Sequence, residues 1–281
     1  MQYRKFGILL SLILLFSGCG HKPTQNPSPI LGNRPTGFSA NKLAVVQVVH
    51  FYNHLARDKT GKIITDKDGK FTTKQSPALG TGAVIDVNGL VMTNQHIVRD
   101  RPIKLDDNDE NSEIIPDILL SAPPPPDRYG VCLNNGNRLS LCYPAEIVKT
   151  DKDLDLAILH VGYKFPRAIE FADSKTLVPG DEVYFWGNIF DIMPPSPFFG
   201  RYLGQLGKPY YDGMNVGRLI MDITLVEGSS GSPIFNSAGK AIGMGMAYFP
   251  KKAGPRPLAI IIPSSQMMKF KKENPWPRPK K

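Results

Sequence analysis

Short β-branched runs separated by turn residues dominate the chain after Leu43, and they restrict it to an all-β fold. The clearest runs are LAVVQVVHF (43–51), GAVIDVNGLVMTN (82–94), AEIVKT (145–150), LDLAILHV (154–161), DEVYFWG (181–187), RLIMDITLV (218–226), KAIGMGMAYF (240–249) and LAIIIP (258–263). Many short strands without long helical periodicity indicate a sandwich or a barrel. Asn88-Gly89 predicts a hairpin turn, and only Ser264 to Lys271 predicts a helix.

The N-terminus has the layout of a secretory signal over residues 1–18. Basic Arg4 and Lys5 precede an apolar run that is shorter than the ~20 residues of a membrane-spanning helix. The ending FSGC (16–19) resembles a bacterial lipobox, and this resemblance implies cleavage before Cys19 and acylation of its thiol. An uncleaved anchor or an ordinary secretory signal is the alternative.

Residues 19–41 predict a Pro-rich tether, because prolines alternate there with small polar residues and little apolar surface is available for burial. We therefore expect an exported protein that is anchored to a membrane of the cell envelope by its lipid. Gly20, not Asp, follows the cysteine, which favours the outer membrane, facing the periplasm, if the host is Gram-negative.

Cys132 and Cys142 are the two remaining cysteines, and two cysteines in an exported chain predict one disulfide. They flank the turn signal Asn134-Asn135-Gly136-Asn137. A two-residue turn at Asn135-Gly136 would place Cys132 opposite Leu139, so the disulfide requires a longer or bulged loop. Two free thiols are the alternative.

Positive charge is concentrated in the basic tail, 271–281. Loss of residues 1–18 removes Arg4 and Lys5 and lowers the formal net charge from +9 to +7. A basic tail can contact anionic lipid or nucleic acid, but a solvated terminus is the simpler interpretation, and no aromatic-rich basic motif predicts nucleic-acid binding. No CxxC or HExxH spacing occurs, so we expect no metal and no cofactor.

GSSGSPIF (228–235) contains serines that are either turn residues or a nucleophile, and a serine hydroxyl needs a base to take its proton. His96 is the best candidate base because it stands where a predicted strand ends, although on its own it could be structural. Asp155 directly precedes the apolar run 156–159, so of the acids Asp151, Asp153 and Asp155 it is the one expected to enter the protein interior. A buried carboxylate needs a hydrogen-bonding or charged partner.

Three blocks occur in a fixed order: GTGAVIDVNGLVMTNQHIV, DKDLDLAILHV and EGSSGSPIFNSAGKAIGMG. They resemble the His, Asp and Ser blocks of trypsin-like serine proteases of the HtrA/DegP type. The resemblance covers residues 40–270. It implies two antiparallel Greek-key β-barrels, as in chymotrypsin and trypsin, at 42–170 and 171–270, with a short C-terminal helix.

The resemblance also implies the roles of individual residues. His96 is expected to be the general base and then the general acid, Asp155 to hold its tautomer, and Ser230 to be the nucleophile. The backbone N–H groups of Gly228 and Ser230 are expected to form the oxyanion hole. Ser229 departs from the family pattern, which commonly has Asn or Asp there, but this removes no catalytic atom.

The function implied is a serine endopeptidase that acts on proteins or peptides. One alternative is a catalytically silent trypsin-like lipoprotein that binds a peptide or a partner. Another is an autoprocessing or envelope-lysis factor whose only target is one partner protein. Fifteen residues follow Gln266, fewer than the ~50 that a domain needs, so we expect no PDZ domain.

Residues 101–130 interrupt the even spacing of strands with an acidic patch and then a run of four prolines, 123–126. Loops of this length are usually lids or disordered insertions. Because the segment follows His96 in the chain, we expect it to hang over the rim of the cleft and to restrict access.

We predict a small or medium apolar side chain at the substrate position before the cleaved bond (P1). The resemblance places Thr224 at the base of the primary pocket, which then has no charge for a basic residue, and its wall at Leu225 and Met246-Ala247-Tyr248. Glutamate-specific relatives use a second-barrel histidine, and none follows His160. Profiling with a peptide library measures this preference, and a profile dominated by Arg, Lys or Glu at P1 would contradict it.

Overall fold

The computed structural model describes a defined part of the chain: residues 35, 37–107, 109, 111–133, 141–187, 196–207, 217–248 and 258–273. The predicted signal, Cys19, nearly all of the tether before residue 37, the turn at 134–137 and the tail from 274 lie outside the described residues. Within the described ranges, no helix has the length and apolar character needed to cross a membrane.

The first barrel is closed by six antiparallel strands in the order β1-β2-β3-β6-β5-β4. The strands are β1 (Val45–Leu55), β2 (Thr73–Asp86), β3 (Leu90–Thr93), β4 (Arg128–Cys132), β5 (Cys142–Asp151) and β6 (Leu156–Val161). Because β4 returns to pair with β1, strands β4-β1-β2-β3 form a Greek key.

The second barrel repeats this plan in the order β10-β11-β12-β9-β8-β7. Its strands are β7 (Glu182–Gly187), β8 (Ser196–Gln205), β9 (Leu219–Asp222), β10 (Pro233–Asn236), β11 (Ala241–Tyr248) and β12 (Ala259–Pro263). The helices are α1 (Phe38–Asn41), α2 (Gln95–Val98) and α3 (Ser264–Lys272). The predicted fold class, all-β with two barrels and a short C-terminal helix, is confirmed.

Apolar side chains fill each barrel and continue from one barrel to the other. Strand β6 is buried on both faces, which explains its nearly continuous apolar sequence LAILHV. Trp186 and Phe235 of the second barrel belong to the same buried cluster as the first-barrel residues Val48 and Ile158. The barrels therefore pack directly against each other, so residues at their facing ends can meet.

Several strand assignments from sequence differ from the structure, among them β2, which begins at Thr73 rather than at residue 82. The run 218–226 forms a strand only to Asp222, because the chain then leads into a turn at 226–229. Strand β8 was not predicted, because SPFFGRYLGQ lacks a β-branched run and alternates partly buried with exposed positions along most of its length. The hairpin at Asn88-Gly89 is confirmed, with Gly89 at a φ of 106°.

The insertion is shorter than predicted and is structured where the chain is described. It ends at Asp127 rather than at residue 130, because β4 begins at Arg128 and pairs with β1. Its buried apolar residues join Leu55 and the hairpin between β1 and β2 in a small cluster, here called the satellite core: Leu55, Ile63, Phe71, Ile103, Ile115 and Leu120. A position over the cleft rim stays a prediction.

The disulfide between Cys132 and Cys142 is formed. The two residues lie directly opposite each other where β4 and β5 pair. Beyond them, the Leu133 N–H donates to the Leu141 carbonyl at 2.9 Å, so the ladder continues past the cysteines. A two-residue turn at Asn135-Gly136 is incompatible with this register, as expected for a longer or bulged loop.

We predict that the double variant Cys132→Ala/Cys142→Ala loses about 3 kcal/mol of unfolding free energy. The disulfide closes a loop with a sequence separation of 10, and closing a loop of about that length in the unfolded chain removes roughly this much. Denaturant titration measures the change. Dithiothreitol is expected to lower the midpoint of the native protein but not that of the variant, and equal midpoints for the two oxidised proteins would contradict the prediction.

Candidate active site

His96 is presented by a single helical turn at the end of strand β3. Helix α2 (Gln95–Val98) is held by the buried side chains of Ile97 and Val98, while the His96 side chain stays 39% exposed. Gly80 on β2 allows this packing, since a Cβ there would lie 2.0 Å from the Cδ1 atom of Ile97. The same Cβ would lie 3.3 Å from the Ser230 carbonyl oxygen, so both segments meet at Gly80.

Asp155 binds His96 through both its side chain and its backbone. The carboxylate Oδ1 accepts from the His96 backbone N–H at 2.9 Å, and Oδ2 lies 2.9 Å from ring Nδ1. An ionised carboxylate can only accept, so Nδ1 carries a proton in this contact. In the neutral ring the other nitrogen, Nε2, is then left as an acceptor.

The backbone of Asp155 is held in an unusual conformation. Its φ of 56° makes it the one non-glycine residue with positive φ in the described ranges, which costs on the order of 1–3 kcal/mol. Hydrogen bonds on both sides hold it there. Asn94 Nδ2 donates to the Asp155 carbonyl at 3.2 Å, and Arg218 Nη2 donates to the Leu154 carbonyl at 2.9 Å.

Arg218 brings a buried positive charge from the second barrel to the turn that carries Asp155. The residue is only 2% exposed, and its Nη1 donates to Gln266 Oε1 of helix α3 at 2.8 Å. Burial lowers the pKa of Arg218, and the negative charges of Asp155 and Asp151 oppose that change. The guanidinium thus places a positive charge beside the turn that carries Asp155.

The Ser230 loop, defined here as residues 226–232, has a regular hydrogen-bond pattern. Ser229 N–H donates to Val226 O at 2.9 Å, Gly231 N–H to Gly245 O at 2.9 Å, and Ser232 N–H to Ser229 O at 3.0 Å. Gly228 has a φ of 87°, as a type II turn requires at its third residue.

Three N–H groups of the Ser230 loop, those of Glu227, Gly228 and Ser230, donate to no acceptor within the described residues. The Ser229 N–H, which lies between those of Gly228 and Ser230, is bonded to Val226 O. Unpaired backbone donors are uncommon in folded proteins and need a partner from elsewhere. Two of them one residue apart can bind an oxygen that carries negative charge.

The three serines of the loop differ in their accessibility. Ser229 and Ser232 are fully buried, and the Ser229 hydroxyl bonds back to the backbone of Val226. Ser230 is only partly buried, and its Oγ lies 3.4 Å from the Met246 carbonyl oxygen. Among the described residues, no hydrogen bond joins Ser230 Oγ to His96. Ser230 is therefore the serine of this loop that an external molecule can reach.

The predicted substrate pocket is described only in part. Thr224 is exposed, and Leu225 is buried in the core of the second barrel, where its methyl groups face Gly245. Met246 is partly buried on β11, and the side chains of Ala247 and Tyr248 lie outside the described atoms. The pocket assignment stays a prediction.

A second His–Asp pair, which the sequence did not suggest, ties the insertion to the first barrel. His50 is fully buried, with Nε2 2.7 Å from Asp127 Oδ2 and Nδ1 3.1 Å from the Ile97 carbonyl oxygen. A carbonyl oxygen can only accept, so Nδ1 donates to Ile97, and Nε2 faces the Asp127 carboxyl group. This links the end of the insertion to the helical turn that carries His96.

Sequence reasoning identified His96 and Asp155, which the structure brings into contact, but missed Arg218 and Asn94. Asn94 follows a buried strand and is itself fully buried, so a polar residue at a strand end was a usable signal. Arg218 gave no such signal, because a charged residue before a strand is normally solvated. Within the described residues, no cluster of His, Cys, Asp and Glu could hold a metal ion.

Comparison with protein families finds a match over this region. A family model for the trypsin-like peptidase domain matches residues 80–244, more than half of the chain. The matched range contains His96, Asp155 and Ser230.

Two similar proteins are each named probable periplasmic serine endoprotease DegP-like. The one from Bartonella henselae is 26% identical over 189 residues, which cover 67% of this chain and 31% of that protein. The one from Halomonas elongata is 28% identical over 193 residues, which cover 68% of this chain and 34% of that protein. The chain therefore spans about a third of the length of these curated relatives.

Solved structures of the HtrA-type protease AlgW with a decapeptide have a similar fold. A substituted form aligns with a TM-score of 0.63 at 18% identity, covering 85% of this chain and 65% of that one. The unsubstituted form aligns with a TM-score of 0.57 at 18% identity, covering 83% and 66%. At this identity the likeness shows the fold alone, and it agrees with the two barrels.

We predict that Gly231→Ala destabilises the protein by more than about 2 kcal/mol, from left-handed strain and a backbone clash together. Gly231 has a φ of 86°, and a Cβ there would lie 2.0 Å from the Thr81 carbonyl oxygen. Denaturant unfolding measures the change. The matched control is Gly162→Ala, which has open space and ordinary φ and is expected to stay within about 0.5 kcal/mol. Equal stability of the two variants would contradict the prediction.

Proposed function

Since the chain belongs to the trypsin-like peptidase family, we propose that it is a serine endopeptidase with His96, Asp155 and Ser230 as its catalytic residues. One observation carries the proposal. Asp155 holds His96 at both the ring and the backbone N–H, 2.9 Å in each case. That contact leaves Nε2 of the neutral ring as a base on a partly exposed side chain.

The acylation step uses the Ser230 hydroxyl and the N–H groups of Gly228 and Ser230. Ser230 Oγ attacks the substrate carbonyl carbon while His96 Nε2 takes the hydroxyl proton. The carbonyl oxygen gains negative charge and accepts hydrogen bonds from the Gly228 and Ser230 N–H groups. The C–N bond then breaks, the amine leaves with the proton from His96, and an ester on Ser230 remains.

Deacylation repeats these steps with water in place of the amine. His96 takes a proton from water, the hydroxide attacks the ester carbonyl, and the same two N–H groups stabilise the oxyanion. The acid product leaves as Ser230 Oγ regains the proton from His96. Asp155 keeps its hydrogen bond to His96 Nδ1 and stabilises the imidazolium.

The sequence supports our proposals for the substrate and the location. The uncharged, exposed Thr224 is consistent with a small or medium apolar P1 residue in a protein or peptide substrate. The lipobox-like FSGC before Gly20 supports export and a lipid anchor on Cys19. The names of the DegP-like relatives include the word periplasmic, which is consistent with an exported protein.

A catalytically silent, peptide-binding protein is the second candidate, and one observation favours it. Ser230 Oγ is turned towards the Met246 carbonyl oxygen, 3.4 Å away, rather than towards His96. For catalysis, a rotation about the Ser230 Cα–Cβ bond has to bring Oγ to His96. A protein without catalytic activity does not require that rotation.

We predict that the purified mature protein is labelled by a fluorophosphonate probe, which reacts with an activated serine. Ser230→Ala is expected to abolish labelling, because it removes the nucleophile, and His96→Ala is expected to reduce it by on the order of 10³-fold or more, because it removes the base. In-gel fluorescence measures both.

Labelling that survives in Ser230→Ala would identify a different serine as the nucleophile. An unlabelled but folded wild-type protein would favour the silent, peptide-binding candidate. Ser76→Ala is a suitable control, because Ser76 also contacts a histidine, with its Oγ 2.7 Å from His54 Nε2. It is expected to be labelled like the wild type.

A further inference from the structure

Thr81 on strand β2 connects the first barrel to the Ser230 loop of the second. The residue is fully buried. Its hydroxyl donates to the Gly228 carbonyl at 2.7 Å, and its N–H donates to the Ser230 carbonyl at 2.8 Å. The Thr93 hydroxyl in turn donates to the Thr81 carbonyl at 2.7 Å, which holds β2 against β3 at this point.

The Thr81 hydroxyl fixes the peptide unit between Gly228 and Ser229. The carbonyl of this unit accepts from Thr81 Oγ1, and its N–H donates to Val226 O at 2.9 Å. A peptide plane that is bonded at both ends cannot rotate without losing both bonds. The direction of the free Gly228 N–H then depends on the glycine φ of 87° alone.

The peptide unit between Ser230 and Gly231 is fixed in the same way. Its carbonyl accepts from the Thr81 N–H at 2.8 Å, and its N–H donates to Gly245 O at 2.9 Å. Thr81 therefore holds the carbonyls of Gly228 and Ser230, two residues whose own N–H groups are free.

We propose that Thr81 is a positioning residue, whose hydroxyl aligns the Gly228 N–H for the oxyanion; this inference rests on the proposed function. Without the hydroxyl bond, the Gly228 carbonyl loses its partner from the first barrel. The peptide unit between Gly228 and Ser229 is then held only at its N–H, by Val226 O. Gly228 can therefore shift relative to the first barrel, and its own N–H moves with it.

The side chain can be tested apart from the backbone, because Thr81→Val keeps the shape and removes only the hydroxyl. We predict that kcat on a p-nitrophenyl ester of an N-acylated alanine falls about 10- to 100-fold, with KM within about two-fold, since an oxyanion donor acts in the transition state. The rate of fluorophosphonate labelling is expected to fall in parallel. Thr81→Ser restores the hydroxyl and is expected to return kcat to within about three-fold of wild type.

Ser264→Ala is the matched control for general destabilisation. Ser264 is also fully buried, and its hydroxyl donates to the Ala172 carbonyl at 2.6 Å, outside the Ser230 loop. Its removal is expected to lower the melting temperature but to leave kcat and KM within about two-fold of wild type. A similar loss of kcat in this variant would assign the Thr81 effect to stability and overturn the inference.

The outcomes separate the inference from the proposed function. If Thr81→Val is folded and keeps the wild-type kcat, the inference alone is wrong. If Thr81→Val does not fold, the comparison of Thr81→Ser with Thr81→Ala tests the inference instead. A Ser variant with near wild-type kcat and an Ala variant with a lower kcat support the inference. Equal kcat values for the two variants overturn it. A folded wild type without turnover or labelling would overturn the proposed function, and the inference with it.

Discussion

The contact between strand β2 and the Ser230 loop is the interaction on which the site depends, because the candidate residues belong to different barrels. His96 and Asp155 belong to the first barrel, and Ser230 to the second. The glycines at this contact leave no room for side chains: a Cβ on Gly231 would lie 2.0 Å from the Thr81 carbonyl. Close backbone packing, not a flexible linker, thus sets the distance between the two halves of the site.

Strain and its compensation are concentrated at Asp155. A left-handed backbone at a non-glycine residue costs on the order of 1–3 kcal/mol, and it persists because several groups hold the residue at once. His96 donates to the Asp155 side chain, and Asn94 donates to the Asp155 carbonyl. Arg218 donates to the carbonyl of the preceding residue, Leu154. The last of these comes from the second barrel, so the acid of the first barrel is held in part by the second. Packing between the barrels and the geometry of the acid are therefore coupled.

Much of the fold could be predicted from the sequence, because β-branched runs and turn residues are local signals. Strands such as β6 and β12 were found within two residues of their observed ends, whereas β8 has no such run and was missed. Part of the candidate site could also be predicted from the sequence. His96 and Asp155 were found from their positions beside apolar runs and from the family resemblance.

The rest depended on contacts between segments far apart in the chain. Arg218 lies 63 residues from Asp155, and nothing near it in the sequence distinguishes it from a surface arginine. His50 had no visible partner, because Asp127 comes 77 residues later at the end of the insertion. Pairings of this kind become visible only once the barrel closes and brings β1, β4 and their neighbours together.

The satellite core has a consequence for the way this protein opens. Its four buried residues (Leu55, Ile103, Ile115 and Leu120), with the partly buried Ile63 and Phe71, form a cluster separate from those of the barrels. Nearby Ile118 is 77% exposed, so part of the apolar surface of the segment stays unburied. Small clusters of this kind open at a lower free energy than the core that they adjoin. The hairpin and the insertion can therefore unfold and refold as one unit while the two barrels, and the residues held between them, stay closed.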